Sequence, residues 1–270
     1  MDFARAEQVD DPGGGLSKWP GRGMLLRDKT GEAKMVVDKS SARVRRMFGQ
    51  IAKRYDLLNH LLSLSLDRYW RRQAVRRAPP TGDLPVLDVC TGTGDLALLY
   101  RRAAAADVPV VAADFCHEML VYGTQKDSAE APLQWVETDA ETLPFPDASF
   151  QLVSVAFGLR NVADTDRGLG EMARVCAPGG QIVILEFSLP TRQPLALLYG
   201  AYFRYVLPRI GQLLARNRES AYNYLPQSVG EFPQGERLAE KMRAAGLCEV
   251  RWIPMTFGVV TLYLAKRKTQ

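Results

Sequence analysis

Between Val86 and Asp95 the chain reads VLDVCTGTGD. An apolar run meets a carboxylate, Asp88, then two glycines one residue apart, Gly92 and Gly94, then a second carboxylate, Asp95. Glycine takes backbone angles closed to other residues and, lacking Cβ, lets a ligand approach the main chain. Asp114 stands 22 positions after Gly92, at the end of the next apolar run, VPVVAAD. A glycine loop followed about 20 residues later by an acid is the arrangement that grips a ribose by its hydroxyls. The third glycine of a dinucleotide loop is Ala97 here, a replacement such loops tolerate, so spacing alone does not choose the ligand. Charge does. Asp88 and Asp95 bracket the loop, where they oppose a pyrophosphate and favour a sulfonium or an α-amino group. S-adenosylmethionine carries both cations, and a ribose for Asp114.

A further acidic segment, ETDAETLPF at 137 to 145, follows a third apolar run. Asp139 and Ala140 fall where an adenine could be held through its amino group and a backbone N–H. The plainer reading of that segment is a solvated acidic loop, and of the glycine loop an ordinary strand-to-helix turn.

These residues need a frame. From about Pro85 apolar runs alternate with helical segments: strands are expected at PVLDVC, VPVVAADF, LQWVETD, FQLVSVAF, GQIVILEF, EVRWIPM and VVTLYLAKR. Helices are expected at Asp95 to Ala105, over HEMLVYGTQKDS, and over TDRGLGEMARVCAPGG with its stop at Pro178-Gly179-Gly180. The alternation predicts an α/β fold with a mostly parallel sheet flanked by helices. Before it, residues 41–80 place Val44, Met47, Phe48, Ile51, Tyr55, Leu58 and Leu62 at helical intervals, an amphipathic arm broken near Asn59 to Ser65. Residues 1–40 read as a loosely packed or disordered tail, 41–270 as one domain, and 189–230 as a helical insertion on the substrate side. A chain of 270 residues with 47% apolar content can bury a substantial core.

Four scattered cysteines and two histidines give no C-x-x-C pair, so neither a zinc site nor a disulfide scaffold is expected. The N-terminus lacks the apolar stretch of a secretory signal, and no run suffices to span a membrane. A cytoplasmic protein, peripheral on the inner membrane face, fits these features and the net charge of +5.

The segments VLDVCTGTGD, DFCHEML, TDAETLPFPDASF, AFGLRNV and PGGQIVILEFSLP together resemble the class I S-adenosylmethionine-dependent methyltransferases. Within them the likeness is to the ubiquinone/menaquinone biosynthesis C-methyltransferase family. VRRMFGQIAKRYDLLNHLLSLSLDRYWRR and RNRESAYNYLPQSVGEFP resemble that family's substrate-side segments, so the likeness runs from about Val44 to Lys266. It implies a Rossmann-like fold and transfer of a methyl group from S-adenosylmethionine to a ring carbon of a polyprenylated quinol. Cofactor positions carry over to Thr93 in the glycine loop, Asp114 at the ribose, and Asp139 with Ala140 near the adenine; Asp88, Gly92, Gly94 and Phe115 complete the expected cofactor set. A family position often occupied by Ser is Ala156, and a usual acid is Gln151, expected to perturb only a strand edge.

Methylation at carbon requires an electron-rich ring, which a hydroquinol becomes on losing a proton. A phenol ionises near pH 10, so the phenolate at pH 7 costs about 4 kcal/mol. Arg160, in FGLRN, is the first candidate to stabilise it, its alternative being a salt-bridged arginine. A guanidinium holds its proton too firmly to serve as the base. Asn161, Tyr55 and Tyr222 are further catalytic candidates, with Tyr224 and His60 behind them, and His117 is read as structural. The interleaved Leu, Tyr and Arg of 194–217 suit a lid that meets lipid head groups. Expected partners are thus the quinol, a membrane surface, and a second copy of the chain or other quinone-biosynthesis proteins. The arginines of the arm leave an RNA-binding reading open, although no aromatic RNA-module signature accompanies them, so nucleic acid is not expected. A methyltransferase for another lipophilic or phenolic metabolite is the enzymatic alternative.

Overall fold

The computed structural model describes residues 24–27, 33–36, 40–127, 131–190 and 221–269. The chain divides into two compact units, Met1–Val36 and Val37–Gln270. The first contains an antiparallel hairpin of β1 (Met24–Arg27) and β2 (Ala33–Val36), inside the segment expected to be a tail.

The second unit begins with the arm: α1 (Ser41–Ile51), a 3-10 turn, α2 (Tyr55–Leu62) and α3 (Leu66–Arg77). The break between α2 and α3 falls where the pattern placed it. Leu64 and Ser65 there hold left-handed backbone angles, φ 51° and 60°. Then follow β3 (Val86–Val89), α4 (Asp95–Ala103), β4 (Val110–Asp114), α5 (His117–Thr124), β5 (Gln134–Glu137), β6 (Phe150–Ala156), α6 (Thr165–Val175) and β7 (Cys176–Phe187). After the undescribed residues come α7 (Ala221–Glu231), α8 (Glu236–Ala244), β8 (Leu247–Met255) and β9 (Val260–Arg267).

Seven strands form one sheet in the order β5-β4-β3-β6-β7-β9-β8. The first five run parallel, and β9 is antiparallel to both β7 and β8. Strands covered on both faces read as unbroken apolar runs, and every residue of β3 and β4 is buried. Alternation along β3 divides its side chains between two core layers. Leu87 and Val89 meet Leu169 and Met172 of α6 and Met242 of α8, while Val86 meets Trp70 and Ala74 of α3 and Leu96 of α4. Trp70 is fixed further by its indole N–H, which donates to Thr256 Oγ1 at 2.7 Å.

One boundary differs from the sequence reading. The helix ends at Val175, capped at its start by Asp164, and Cys176 is already extended. Phe150 pairs with Cys176 but Leu152 with Gln181, so the Pro-Gly-Gly stretch bulges within β7 instead of terminating a helix. Gln151 is likewise more than a strand-edge perturbation. Its amide oxygen accepts from Thr81 N (2.9 Å) and Gly82 N (2.6 Å), and its Nε2 donates to the carbonyls of Gly82 and Leu84. A carboxylate could only accept.

Candidate active site

The strand order reverses direction at β3, which lies between β4 and β6. Crevices at the carboxyl ends of strands beside such a switch point are where open α/β sheets take ligands. Here the glycine loop leaves β3 with Cys90, Gly92 and Gly94 all in the left-handed region, φ 52°, 59° and 82°. A Cβ on Gly94 would collide with the Trp135 ring, whereas one on Gly92 would meet nothing nearer than Tyr55 Cε1 at 3.8 Å. The main chain at Gly92 is therefore open to an approaching ligand. Asp114 ends β4 as expected and is 6% exposed. Its two oxygens accept from Gly92 N at 2.8 Å and Cys116 N at 2.9 Å, which locks the glycine loop against the acid. Each carboxylate oxygen retains a second lone pair for a ligand hydroxyl.

A cleft lies above this loop, walled by the arm, the ends of β3 and β4 and the loop after β6. Asp88, Asp95, Asp114, Asp139 and Glu141 line it, against a single lining cation, Arg71, among the described residues. Burial pushes the carboxyls of Asp88 and Asp114 up to about 6, and the Asp114 charge adds to the shift on Asp88. Asp88 is steadied by the hydroxyls of Thr91 and Ser154, both at 2.7 Å. At neutral pH these two groups carry negative charge, and neither has an ion-pair partner among the described residues, an environment that suits a cation and repels phosphate. Phe115 and Ala140 also line the cleft, as the cofactor expectation requires, and Ala156 contributes only a methyl.

The arm closes one side. Phe48, Tyr55 and Arg71 line the cleft, with the rings of Phe48 and Tyr55 edge-on at 6.0 Å. Arg71 donates to Asp67 Oδ2 at 2.5 Å and lies 3.7 Å from Asp95 Oδ2. His60 Nδ1 stands 2.8 Å from that same Asp67 oxygen. His60, Asp67 and Asp95 could converge on a metal ion, but the Arg71 guanidinium already serves both carboxylates. Thr93 lines the cleft from the glycine loop, as a cofactor position would. It donates to Asp56 Oδ1 of α2 at 2.5 Å and accepts from Lys126 Nζ at 2.9 Å, while Lys126 also binds Asp56 and Asp95. Neither Arg71 nor Asp56 was singled out from sequence, although an Asp67–Arg71 pair at i,i+4 was readable there.

The loop after β6 closes the other side. Phe157 is also left-handed, φ 60°, and a Cβ on Gly158 would collide with the Cys90 side chain, so the two loops pack directly on each other. Asn161 lines the cleft, and its Oδ1 is buried without a partner. Arg160 faces elsewhere: Nη1 donates to Glu186 Oε1 at 2.7 Å and to the Phe157 carbonyl, and the guanidinium lies 5.3 Å from the Phe187 ring centroid. The salt-bridged alternative is thus the observed arrangement, and Glu186, 1% exposed, is a residue that sequence reasoning missed. Burial raises the Tyr55 phenol above its ordinary value and pushes Tyr224 up to about 12. Tyr222 lies in α7, its side chain outside the described residues, as is 191–220 of the expected insertion. His117 is exposed and pairs with Glu137 at 2.9 Å, outside the cleft.

With this geometry in place, the chain can be set beside known proteins. The model of the ubiE/COQ5 methyltransferase family matches residues 35–267. A demethylmenaquinone methyltransferase of Deinococcus radiodurans is 46% identical over 232 residues, 86% of this chain and 95% of the relative. The enzyme of that name from Thermus thermophilus is 47% identical over 223 residues, 82% of this chain and 100% of the relative. A ubiquinone/menaquinone biosynthesis C-methyltransferase UbiE of a Geobacter species is 46% identical, covering 86% and 99%. Among solved structures, a SAM-dependent methyltransferase of Thermotoga maritima aligns with TM-score 0.58 at 16% identity, covering 83% of this chain and 100% of that one. The [4+2]-cyclase SpnF aligns with TM-score 0.59 at 15%, covering 84% and 96%. At those identities the structural likeness concerns the fold alone.

Proposed function

The chain belongs to the ubiE/COQ5 methyltransferase family, and from that premise we propose that it methylates a ring carbon of a polyprenylated quinol in respiratory quinone biosynthesis. It is a methyltransferase, and S-adenosylmethionine is its methyl donor. The observation that carries the reading is the excess of carboxylates around an open glycine loop, next to a wall of arm aromatics. When bound, the donor supplies an electrophilic methyl on a sulfonium. The open main chain at Gly92 and the buried carboxylate of Asp114 would hold its ribose, and Asp139, Ala140 and Phe115, which line the same cleft, would hold its adenine. Asp88 supplies negative field that a sulfonium or an amino group requires, and Asp95, already bridged to Lys126, adds to it only in part.

On the substrate side, Phe48 and Tyr55 offer apolar surface to a flat ring. Tyr55 keeps its proton at neutral pH, because burial disfavours its phenolate. It therefore acts as a hydrogen-bond donor that lowers the cost of ionising the quinol, with water taking the released proton. Asn161 uses its unpartnered Oδ1 to orient a quinol hydroxyl. Arg160 acts through its loop, holding the Phe157 carbonyl and hence the position of Asn161. Entry of a polyprenyl tail makes peripheral contact with a membrane part of this reading, and no helix among the described residues is long and apolar enough to cross one.

The test is an assay of the full chain with S-adenosylmethionine and a short-chain demethylmenaquinol kept reduced, read by mass spectrometry. The expected product is the quinol with one added ring methyl, in equal amount to S-adenosylhomocysteine. Absence of product with this quinol and with the corresponding benzoquinol refutes the reading.

A further inference from the structure

The outward face of the arm carries more apolar surface than a solvated helix pair needs. On α2, Leu57 is 66% and Leu61 51% exposed, and Leu64, in the turn that follows, is 83% exposed. On α3, Leu66 is 37% and Tyr69 49% exposed. The spacing places these residues in two rows. Leu57 and Leu61 lie four apart with Leu64 just beyond, and Leu66, Tyr69 and Arg72 follow one another at intervals of three. The same helices also bury Leu58, Trp70, Arg71 and Ala74. A patch of several large apolar side chains with a charged rim marks an interaction surface.

The turn that displays Leu64 is built rather than loose. Leu64 and Ser65 both hold left-handed angles that leucine and serine rarely adopt. Ser65 N donates to the His60 carbonyl at 2.6 Å and Leu66 N to the Ser63 carbonyl at 3.0 Å. Beneath them, Ser63 Oγ donates to Asp67 Oδ1 at 2.8 Å, while the other Asp67 oxygen engages His60 and Arg71. A strained turn pinned from below by a buried carboxylate presents one leucine to solvent.

The rim selects the partner. Lys53, one helical turn before Leu57, and Arg68 and Arg72 on α3 are all exposed. None of the three has an ion-pair partner among the described residues. Leucines and an aromatic amid cations at the surface match a bilayer whose apolar interior lies under anionic head groups. We propose that the outward face of α2 and α3, with Leu64 at its tip, docks on the surface of an anionic lipid bilayer. The same two helices supply Tyr55 and Arg71 to the cleft, so docking sets the cleft beside the layer in which a polyprenyl tail dissolves. This deepens the quinol reading and rests on it for its purpose, though not for the docking itself.

The experiment is co-flotation of the full chain with vesicles of phosphatidylcholine and about 30% phosphatidylglycerol, comparing wild type, Leu57→Ser/Leu64→Ser and Arg68→Glu/Arg72→Glu. All four positions are exposed, and circular dichroism checks that each variant is folded. The expected result is at least tenfold weaker vesicle partitioning for both variants, weaker wild-type partitioning at high salt, and unchanged turnover of a tail-less, water-soluble quinol. Equal partitioning of wild type and both variants overturns the proposal. So does a leucine variant that partitions normally but changes sedimentation mass, which would assign the face to a second copy of the chain. Failure of the quinol reading shows differently: no turnover of any quinol by wild type, with flotation intact.

Discussion

The loops that leave β3 and β6 are neighbours at one end of the sheet, and each begins with a non-glycine residue in the left-handed region, Cys90 and Phe157. Their electrostatics are opposite. The β3 loop gathers carboxylates of which Asp88 and Asp114 have no ion-pair partner among the described residues, and burial pushes both up to about 6. The β6 loop buries a cation, Arg160, and neutralises it on the spot with Glu186. A site that must receive a cationic ligand keeps its field unbalanced, because an internal counterion would compete with the ligand for the same oxygens. A loop that must keep its shape balances its charge internally, because a lone buried charge would distort it.

The largest expected effect comes from breaking that internal balance. Glu186→Ala leaves the Arg160 guanidinium buried without its carboxylate, and loss of one partner of a buried pair typically costs about 3–5 kcal/mol. Thermal unfolding should show it as a clear drop in Tm, together with lower turnover as the Phe157 carbonyl is released. If stability is unchanged, the pair does not organise the loop.

Asp114→Asn probes the other loop. A hydrogen bond to a charged group contributes about 1.5–3 kcal/mol, so binding of S-adenosylhomocysteine, followed by calorimetry, should weaken by roughly ten- to a hundredfold while the fold is kept. An unaltered affinity would remove Asp114 from the ribose.

The contact between the loops gives a smaller and sharper test. Gly158→Ala drives a Cβ into the Cys90 side chain, an overpacking that costs about 1–3 kcal/mol. Adding Cys90→Gly should restore much of the loss, since glycine both vacates the space and suits the φ of 52°. Additive rather than compensating effects would show that the collision is relieved elsewhere.

The pH dependence is the gentlest distinction. Because Asp88 and Asp114 have raised values in the fold, their contribution to stability is fully present below about pH 4 and lost as pH rises through 6. Donor binding runs the other way, since it requires the ionised forms. Affinity should be flat above pH 6 and fall up to about tenfold per unit below it for each proton that must be released, an effect that Asp114→Asn should reduce.

The sequence displayed the frame and the cradle because both rest on local signals. Apolar runs mark strands buried on two faces, and two glycines with an acid one strand later mark the ribose end of the site. The arm is visible in its helical spacing, which breaks near Asn59 to Ser65, although the chain stays helical through Leu62 and turns only at Ser63 to Ser65. What stayed hidden depends on contacts between distant segments. Glu186 sits in a strand that reads simply as an apolar run, and only the β6–β7 pairing brings it to Arg160. The bond from Thr93 to Asp56 likewise exists only once α2 folds beside the glycine loop. The Pro-Gly-Gly stretch reads as a helix stop because the bulge it forms exists only against β6.

The central claim is that the carboxylate-lined glycine loop holds a sulfonium donor whose methyl is delivered to a quinol ring. The most direct measurement is single-turnover transfer from methyl-labelled S-adenosylmethionine, pre-bound to the full chain, onto a short-chain demethylmenaquinol. The account predicts label on a ring carbon of the quinol for wild type and at least tenfold slower transfer for Asp114→Asn at sub-saturating donor. Donor that binds but leaves no label on carbon, or wild type and Asp114→Asn that transfer equally well, would contradict it.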